Sequence, residues 1–309
     1  MITVLGGGAF GTALAVALAV RGPVTLVARD PGLAVRRESA RLQGVALPPA
    51  VRVAAEVPPG GGPVLLAVPM AALPGVLADP ALAARPLIAC AKGVDPATLR
   101  GPAAMIAAAR PEAMAAVLTG PSFAADIAAG KPTALTLACA DAGAGAALQA
   151  ALATPALRPY RTTDVTGAEL GGAFKNVIAI AAGIVMGAGL GESARAALVA
   201  RGHGEMTRLA VRLGARAETL AGLSGLGDLV LTCTSLQSRN FRHGVALGQG
   251  RVPEGGTVEG IATAAAMADL GARLDVGVPI AEQVAAVTQG RAGVAGAVAA
   301  LMARPLKEE

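Results

Sequence analysis

The first eleven residues constrain the fold of this chain more than any other stretch. Ile2–Leu5 is a short β-like run, and a glycine-rich turn follows it directly. Residues 12–20 are rich in alanine and favour a helix. Gly6, Gly8 and Gly11 satisfy the pattern G-x-G-x-x-G, in which glycines permit a tight turn and a close approach of the backbone to a pyrophosphate. The helix N-terminus adds free N–H groups and a positive dipole end. This order predicts a dinucleotide site, although glycine-rich loops are also common in alanine-rich sequences.

The end of the next predicted strand, residues 24–28, bears on the choice of cofactor. About 20 residues after the glycine turn, an acidic side chain would bind the ribose 2′-hydroxyl of NAD. The chain has Arg29 followed by Asp30 at this corner. An arginine here can pair with a 2′-phosphate, so the sequence favours NADP(H) over NAD(H). Alternatively, Arg29 is a solvated turn residue and Asp30 starts the next helix.

Apolar β-like runs alternate with helical or turn-rich segments along the first half of the chain. Such alternation predicts an N-terminal Rossmann-type, doubly wound α/β domain with a mostly parallel sheet covered on both faces. Besides the first strand, the predicted strands are residues 24–28, 64–68, 87–90, 115–118 and 134–137.

Ligands in such sheets collect at the carboxyl ends of the strands. Lys92 follows one predicted strand, and Gly120 with Ser122 follows another. The ammonium of Lys92 could hold a phosphate or polarise a carbonyl, or it could be an exposed loop lysine.

The second half of the chain has a different texture. From Asp164 onward strand-like runs largely disappear and glycine-interrupted helical stretches take over, which predicts domains at residues 1–163 and 164–309, the second all-α. Aromatic residues are 2% of the chain, so the cores must be packed from Ala, Val and Leu. The apolar, glycine-rich helices favour a homodimer, but helix packing inside one chain explains them equally well.

Lys175 is a lone cation in a glycine- and alanine-rich run. Only four of the 26 basic residues are lysines, and this one lies within residues 171–191, which are otherwise uncharged. An arginine keeps its proton near neutral pH, whereas a partly desolvated lysine can act as a proton donor or acceptor. Residues 169–176 predict the start of a long apolar helix, with Lys175 near the end that would face a cleft. The alternative is a lysine that extends its head group into water.

A second polar group follows further along the chain. Asp228 lies in the otherwise uncharged stretch 221–238, where a carboxylate needs a partner and a lysine is the obvious one. Ser238, Arg239 and Asn240 then offer a hydroxyl, a guanidinium and an amide, a set suited to a phosphate monoester or a diol. Each of the three could instead cap a helix or lie on the surface.

Composition argues against several classes of site. The three cysteines, Cys90, Cys139 and Cys233, are odd in number and far apart, so they indicate neither a disulfide framework nor a metal site. Two histidines, His203 and His243, leave little material for a His-based metal site or a catalytic triad. The net charge of +5 comes from scattered arginines without interleaved aromatics. We therefore expect a small anionic ligand rather than nucleic acid.

The uncharged stretches of the sequence do not predict membrane-spanning helices. Glycines interrupt residues 2–20, prolines and glycines interrupt residues 57–78, and residues 177–191 number only 15. We expect no membrane insertion, no export signal and a cytoplasmic location.

From residue 6 to about residue 260, the chain resembles the bacterial NAD(P)-dependent glycerol-3-phosphate dehydrogenases. The likeness is specific because four further motifs occur together at the right spacing behind the glycine turn. They are Gly120-Pro-Ser-Phe-Ala, Glu169-Leu-Gly-Gly-Ala-Phe-Lys-Asn, Gly225-Leu-Gly-Asp-Leu-Val-Leu-Thr-Cys-Thr and Gln237-Ser-Arg-Asn.

The resemblance implies an oxidoreductase that interconverts dihydroxyacetone phosphate and sn-glycerol 3-phosphate with NAD(P)H, supplying the glycerol backbone of phospholipids. It implies that Lys175 is catalytic, with Lys92 and Asp228 assisting, and that no metal takes part. The substrate-binding positions that it implies are Lys92, Gly120, Ser122, Lys175, Asp228, Ser238, Arg239 and Asn240. The cofactor-binding positions, with those of the glycine turn, are Gly6, Gly8, Ala9, Phe10, Gly11, Arg29, Lys92, Ala124, Arg239 and Glu259.

Two positions depart from the family pattern, and both touch the predicted cofactor pocket. Ala9 stands where many relatives have serine, and Val27 replaces an aromatic residue often found near the end of the second strand.

Two alternative functions stay open at this point. Another two-domain dehydrogenase, of the 3-hydroxyacyl or 2-hydroxyacid type, would ordinarily rely on a histidine. A non-catalytic dinucleotide-sensing module would need the glycine turn but not Lys92, Lys175, Asp228 and Arg239 together.

Overall fold

The computed structural model describes residues 1–253, 255–256 and 258–303. The chain divides into two compact units, one of residues 1–92 with 100–169 and the other of residues 93–99 with those from 170 onward. A domain boundary at 163/164 stays a prediction, and the last six residues of the predicted second domain lie outside the described residues.

The first unit is built on one sheet of eight strands in the order β3-β2-β1-β4-β5-β6-β7-β8. All neighbouring strands are parallel except β6 and β7. The first six strands have the order typical of a doubly wound dinucleotide-binding fold, which confirms the predicted fold class. The strands are β1 (Ile2–Leu5), β2 (Val24–Val27), β3 (Val51–Ala54), β4 (Val64–Leu66), β5 (Leu87–Ala89), β6 (Ala115–Thr119), β7 (Thr133–Cys139) and β8 (Leu157–Thr162).

Apolar side chains cover both faces of this sheet. Val64 and Leu66 of β4 belong to one buried cluster and Leu65 to another, as expected when successive strand residues point to opposite faces. The helices of this unit are α1 (Ala9–Leu18), α2 (Leu33–Arg36), α3 (Leu73–Leu77), α4 (Pro102–Ala109), α5 (Ala124–Ala128) and α6 (Ala142–Leu152).

The sequence did not predict β3 and β8, which form the two edges of the sheet. Both are partly exposed and carry arginines, Arg52 in β3 and Arg158 and Arg161 in β8. Such strands lack the continuous apolar run of a buried parallel strand. β8 also contains Pro159, a residue that is tolerated at sheet edges because it cannot donate to a ladder.

The second unit is helical. Its core is a single large cluster of Ala, Val, Leu, Ile and Met side chains around Phe174, which is fully buried. The long helix α7 (Val165–Gly187) begins in the first unit and continues into the second. The further helices are α8 (Glu192–Arg212), α9 (Ala217–Ala221), a π-helical turn (Leu223–Gly227), α10 (Asp228–Cys233), α11 (Arg239–Gly248), α12 (Glu259–Leu274), α13 (Pro279–Thr288) and α14 (Val294–Met302).

Glycines bring α7 and α11 into main-chain contact. A Cβ at Gly183 would lie 2.1 Å from the carbonyl oxygen of Phe241, and one at Gly187 would lie 2.2 Å from that of Val245. From the other side, a Cβ at Gly244 would lie 2.0 Å from the carbonyl oxygen of Ile180. These glycines are therefore used in helix packing inside one chain, one of the two explanations left open for them.

The bounds of α7 correct the predicted position of Lys175. The helix begins at Val165, where the Asp164 side chain accepts a hydrogen bond from the Gly167 N–H at 2.8 Å. This cap starts the helix earlier than the apolar run suggests. Lys175 is thus the eleventh of 23 residues, in the middle of α7 and not near its end.

By length and composition alone, α7 is apolar enough to cross a membrane. In the structure, 83% of its most apolar window is buried inside the protein. That burial is expected for a core helix.

Candidate active site

The glycine turn of the first unit leaves room for a pyrophosphate. A Cβ at Gly6 would lie 2.3 Å from the carbonyl oxygen of Ala67, and one at Gly11 would lie 2.0 Å from that of Gly6, so neither position tolerates a side chain. A Cβ at Gly8 would meet nothing within 4 Å. Gly8 is also the N-cap of α1, and no side chain caps this helix start. The open space beside helix N–H groups fits a dinucleotide phosphate.

Three predicted cofactor residues pack around one small apolar cluster beside this turn. Ala9, Phe10 and Ala124 contact a cluster that contains Ala13 and Ile127. The side chains come from the starts of α1 and α5. The structure therefore brings together positions that are 115 residues apart in sequence.

The corner after β2 carries the residues predicted to select the cofactor. Arg29 and Asp30 are exposed, directly after the buried strand. The Asp30 carboxylate accepts a hydrogen bond from the Gly32 N–H at 3.0 Å and forms an ion pair with Arg36. Asp30 thus lies in the turn before α2, which begins at Leu33. The sequence did not predict a role for Arg36.

Lys92, Gly120 and Ser122 form one group at the carboxyl ends of β5 and β6. Lys92 Nζ donates to the Gly120 carbonyl oxygen at 3.0 Å, and Ser122 Oγ donates to the same oxygen at 3.2 Å. Gly120 has a φ of +133°, a conformation open to glycine but strained for other residues. The half-buried ammonium is therefore held in place by a main-chain oxygen.

In the second unit, Lys175 and Asp228 form a buried ion pair. Lys175 Nζ lies 3.0 Å from Asp228 Oδ1, with side-chain exposures of 11% and 2%. Asp228 is the first residue of α10, where its charge also suits the positive end of the helix dipole. A buried charge needs such a partner, and the partner is the lysine that the sequence suggested.

Two residues that were predicted to bind substrate, Ser238 and Arg239, lie at the start of α11. Ser238 is the N-cap, since its Oγ accepts from the Phe241 N–H at 3.3 Å, and it also lies 2.9 Å from the hydroxyl oxygen of the buried Thr232. Arg239 follows as the first helical residue, with an exposed side chain. Ser238 therefore caps α11, which is one of the uses that the sequence left open for it.

Asn240 connects three helices. Its Nδ2 donates to Asn176 Oδ1 at 2.9 Å, and its Oδ1 accepts from the Gly260 N–H at 3.0 Å. Asn176 follows Lys175 in α7, and Gly260 follows Glu259, the first residue of α12. The sequence did not predict roles for Asn176 and Gly260. Each directly follows a predicted site residue, and that adjacency was the available signal.

Glu169 is a further residue that sequence reasoning left without a role. It lies on α7 within the first unit and accepts a hydrogen bond from the Ala103 N–H in the first turn of α4. Burial raises the pKa of this carboxyl to about 7. Glu169 therefore acts as a side-chain cap from one helix to another.

The cysteines and histidines were not assigned to the site. Burial raises the pKa of the Cys90 and Cys233 thiols to about 12, so both are inert at neutral pH. His203 Nε2 lies 3.0 Å from the Leu220 carbonyl oxygen, and burial lowers the pKa of His243. Among the described residues, no group of His, Cys, Asp and Glu side chains is arranged to hold a metal ion.

Two protein-family models match most of the chain. Residues 1–144 match the model of the NAD-dependent glycerol-3-phosphate dehydrogenase N-terminus, and residues 164–299 match that of its C-terminus.

Similar proteins cover the chain over its full length. It is 60% identical to the glycerol-3-phosphate dehydrogenase [NAD(P)+] of Paracoccus denitrificans, with 100% of this chain and 99% of the relative covered. It is also 60% identical to that of Cereibacter sphaeroides, with 100% of both covered. A crystal structure of the glycerol-3-phosphate dehydrogenase from Coxiella burnetii superposes with a TM-score of 0.90 at 32% identity, covering 98% of each chain. The chain therefore belongs to the NAD-dependent glycerol-3-phosphate dehydrogenase family.

Proposed function

We propose that this protein interconverts dihydroxyacetone phosphate and sn-glycerol 3-phosphate with NADP(H) or NAD(H). A bound nicotinamide supplies the hydride for reduction of the carbonyl carbon and accepts it in the reverse direction. The sn-glycerol 3-phosphate so formed would supply the glycerol backbone of phospholipids. The observation that carries the assignment of roles is the buried pair of Lys175 and Asp228.

Lys175 is the residue that moves the proton. When a carbonyl is reduced, negative charge develops on its oxygen, and Nζ of Lys175 donates a proton to that oxygen. In oxidation the same nitrogen accepts the proton from the hydroxyl. Asp228 orients Lys175 by holding Nζ at 3.0 Å. Because both side chains are buried, the ammonium has little water to compete for its hydrogen bonds.

Lys92 and the start of α11 bind the rest of the substrate. Lys92, held in place by the Gly120 oxygen, polarises the substrate carbonyl with its positive charge. Arg239 provides a guanidinium fork for the phosphate. Asn240 keeps one N–H beyond its two structural hydrogen bonds, and the main chain near Ser122 adds further donors.

The test compares Lys175→Ala and Lys175→Arg with the wild type. General acid catalysis contributes on the order of 100- to 10,000-fold, so we expect turnover to fall by such a factor in both variants. Arginine can keep the ion pair with Asp228 but does not release its proton near neutral pH. Initial rates with dihydroxyacetone phosphate and NADPH, followed by nicotinamide absorbance, measure the effect. NADPH binding measured by titration should stay nearly unchanged.

Near-normal turnover in Lys175→Arg would contradict the role of Lys175 in proton transfer. If the wild type itself showed no turnover of dihydroxyacetone phosphate with either cofactor, the sensing module and the other dehydrogenase types would return as candidates. A cytoplasmic location, the lack of membrane insertion and a homodimer stay predictions.

A further inference from the structure

The turn after β2 is held in a defined position beside the glycine turn. Leu33 is almost fully buried, and a Cβ at Gly7 would lie 3.5 Å from its Cδ2. Ser39 is also buried, and its Oγ donates to the Gly7 carbonyl oxygen at 3.1 Å. The segment between them is therefore anchored on both sides to the glycine turn, where a dinucleotide fits.

Asp30 lies at the corner after β2, where side chains discriminate between the two cofactors. A carboxylate at the end of the second strand binds the ribose hydroxyls of NAD and repels a 2′-phosphate. Arg29, its neighbour, has the opposite preference. The corner thus holds one residue of each kind, and the carboxylate of Asp30 opposes the preference that Arg29 gives for NADP(H).

Both carboxylate oxygens of Asp30 have partners within the turn. Oδ1 accepts from the Gly32 N–H at 3.0 Å, and Oδ2 pairs with Nη2 of Arg36. The hydrogen bond from Arg36, and then that from Gly32, lowers the pKa of Asp30. The carboxylate therefore stays ionised, and Arg36 provides the charge that balances it.

We propose that Arg36 is a specificity-determining residue, which by neutralising Asp30 leaves Arg29 to recognise the 2′-phosphate and so gives NADP(H) preference over NAD(H). This inference rests on the proposed function of the site. Arg36 acts through Asp30 and is a positioning residue.

The contribution of the pair to folding is small, which makes the proposal testable by substitution. The side chains of Arg36 and Asp30 are 50% and 49% exposed. Exposed ion pairs contribute little to stability because water screens their charges. Variants at these positions should therefore fold, and changes in binding can be assigned to recognition.

The experiment measures dissociation constants of NADP+ and NAD+ by titration calorimetry for the wild type, Arg36→Gln, Asp30→Asn and the double variant. Arg36→Gln exposes the Asp30 charge, so we expect NADP+ to bind about tenfold more weakly, while NAD+ binding changes by less than about twofold. The double variant has no carboxylate to neutralise and should recover most of the NADP+ affinity. Arg158→Gln, on the exposed edge strand β8, is the control for loss of one positive charge.

Two results would overturn the proposal. They are an unchanged ratio of the two dissociation constants in Arg36→Gln, whether or not both constants rise, and a double variant as weak as Arg36→Gln. The last result would mean that Arg36 contacts the phosphate itself. Turnover of dihydroxyacetone phosphate by the wild type, measured in parallel, tests the proposed function separately.

Discussion

At the residue scale, several polar side chains of the proposed site have hydrogen bonds within the protein. Lys175 and Asp228 were paired correctly because a carboxylate in an apolar stretch needs a cation. Substrate binding by Ser238 and Asn240 stays a prediction. The structure shows that both also have hydrogen-bond partners within the protein, which are Phe241, Thr232, Asn176 and Gly260. Hydroxyl and amide groups serve capping and ligand binding equally well, so their spacing alone could not separate the two uses.

Substitution of Arg239 should affect the KM for the substrate, whereas substitution of Lys175 should affect turnover. Its exposed side chain starts α11, and the proposed role is phosphate binding. Arg239→Gln should raise KM for dihydroxyacetone phosphate about ten- to a hundredfold, because a charged hydrogen bond contributes roughly 1.5–3 kcal/mol. KM for NADPH should change much less.

Initial rates over a grid of both substrates measure the two constants for Arg239→Gln. Arg201→Gln on the exposed face of α8 removes the same charge elsewhere and serves as the control. Equal increases of both KM values in Arg239→Gln would indicate that Arg239 serves the dinucleotide alone.

At the scale of elements, the buried strands were predictable and the edges were not. β4 and β5 are short but fully buried, so each reads as an uninterrupted apolar run. β3 and β8 have partners on one side only, and their polar residues are tolerated by the solvent that they face. The early start of α7 depends on Asp164, whose capping role follows from its hydrogen bond with Gly167 more than from any periodicity.

The glycine contacts between α7 and α11 predict that two Gly→Ala substitutions have opposite effects on the free energy of unfolding. Gly183→Ala places a Cβ 2.1 Å from a main-chain oxygen, and such overpacking costs about 1–3 kcal/mol. Gly204 lies within α8, and a Cβ there would meet only the flexible end of Arg208, at 3.4 Å. Gly204→Ala should therefore stabilise the protein by up to about 1 kcal/mol, since alanine is the better helix former.

Urea unfolding of the two variants measures these changes in the free energy of unfolding. If Gly183→Ala were as stable as the wild type, the main-chain contact between α7 and α11 would not be a constraint.

At the scale of the whole molecule, stability should depend on pH through a buried carboxyl of the helical unit. Glu205 of α8 is 1% exposed, and its two oxygens accept from the Ile280 and Ala281 N–H groups of α13 at 2.9 and 3.0 Å. Burial raises the pKa of Glu205 from 4.5 to about 7. The folded state thus binds this proton more tightly than the unfolded state does.

As pH rises from 4.5 to about 7, the unfolded state loses this proton first, so the free energy of unfolding falls. A shift of this size corresponds to roughly 3 kcal/mol. Glu205→Gln cannot ionise and should show a flatter stability profile across the same window. Denaturant unfolding at several pH values measures the difference, and parallel profiles for the two proteins would contradict it.

The whole molecule also shows where prediction from sequence stops. The change from alternating strands to continuous helix was visible in the sequence, so two structural classes in one chain could be predicted. The grouping of residues 93–99 could not be predicted. These residues belong to the helical unit, whereas the residues on either side of them belong to the unit that contains the sheet. Such grouping depends on tertiary packing that no local pattern records.

The main-chain contact of α7 with α11 also affects how this protein can vary. One of these helices carries Lys175 and the other begins at Arg239. Where backbone touches backbone, the gap between two helices contains no side chain that could shrink or grow by mutation. Substitutions elsewhere in the core should therefore leave the distance between these two helices unchanged, as long as Gly183, Gly187 and Gly244 are kept.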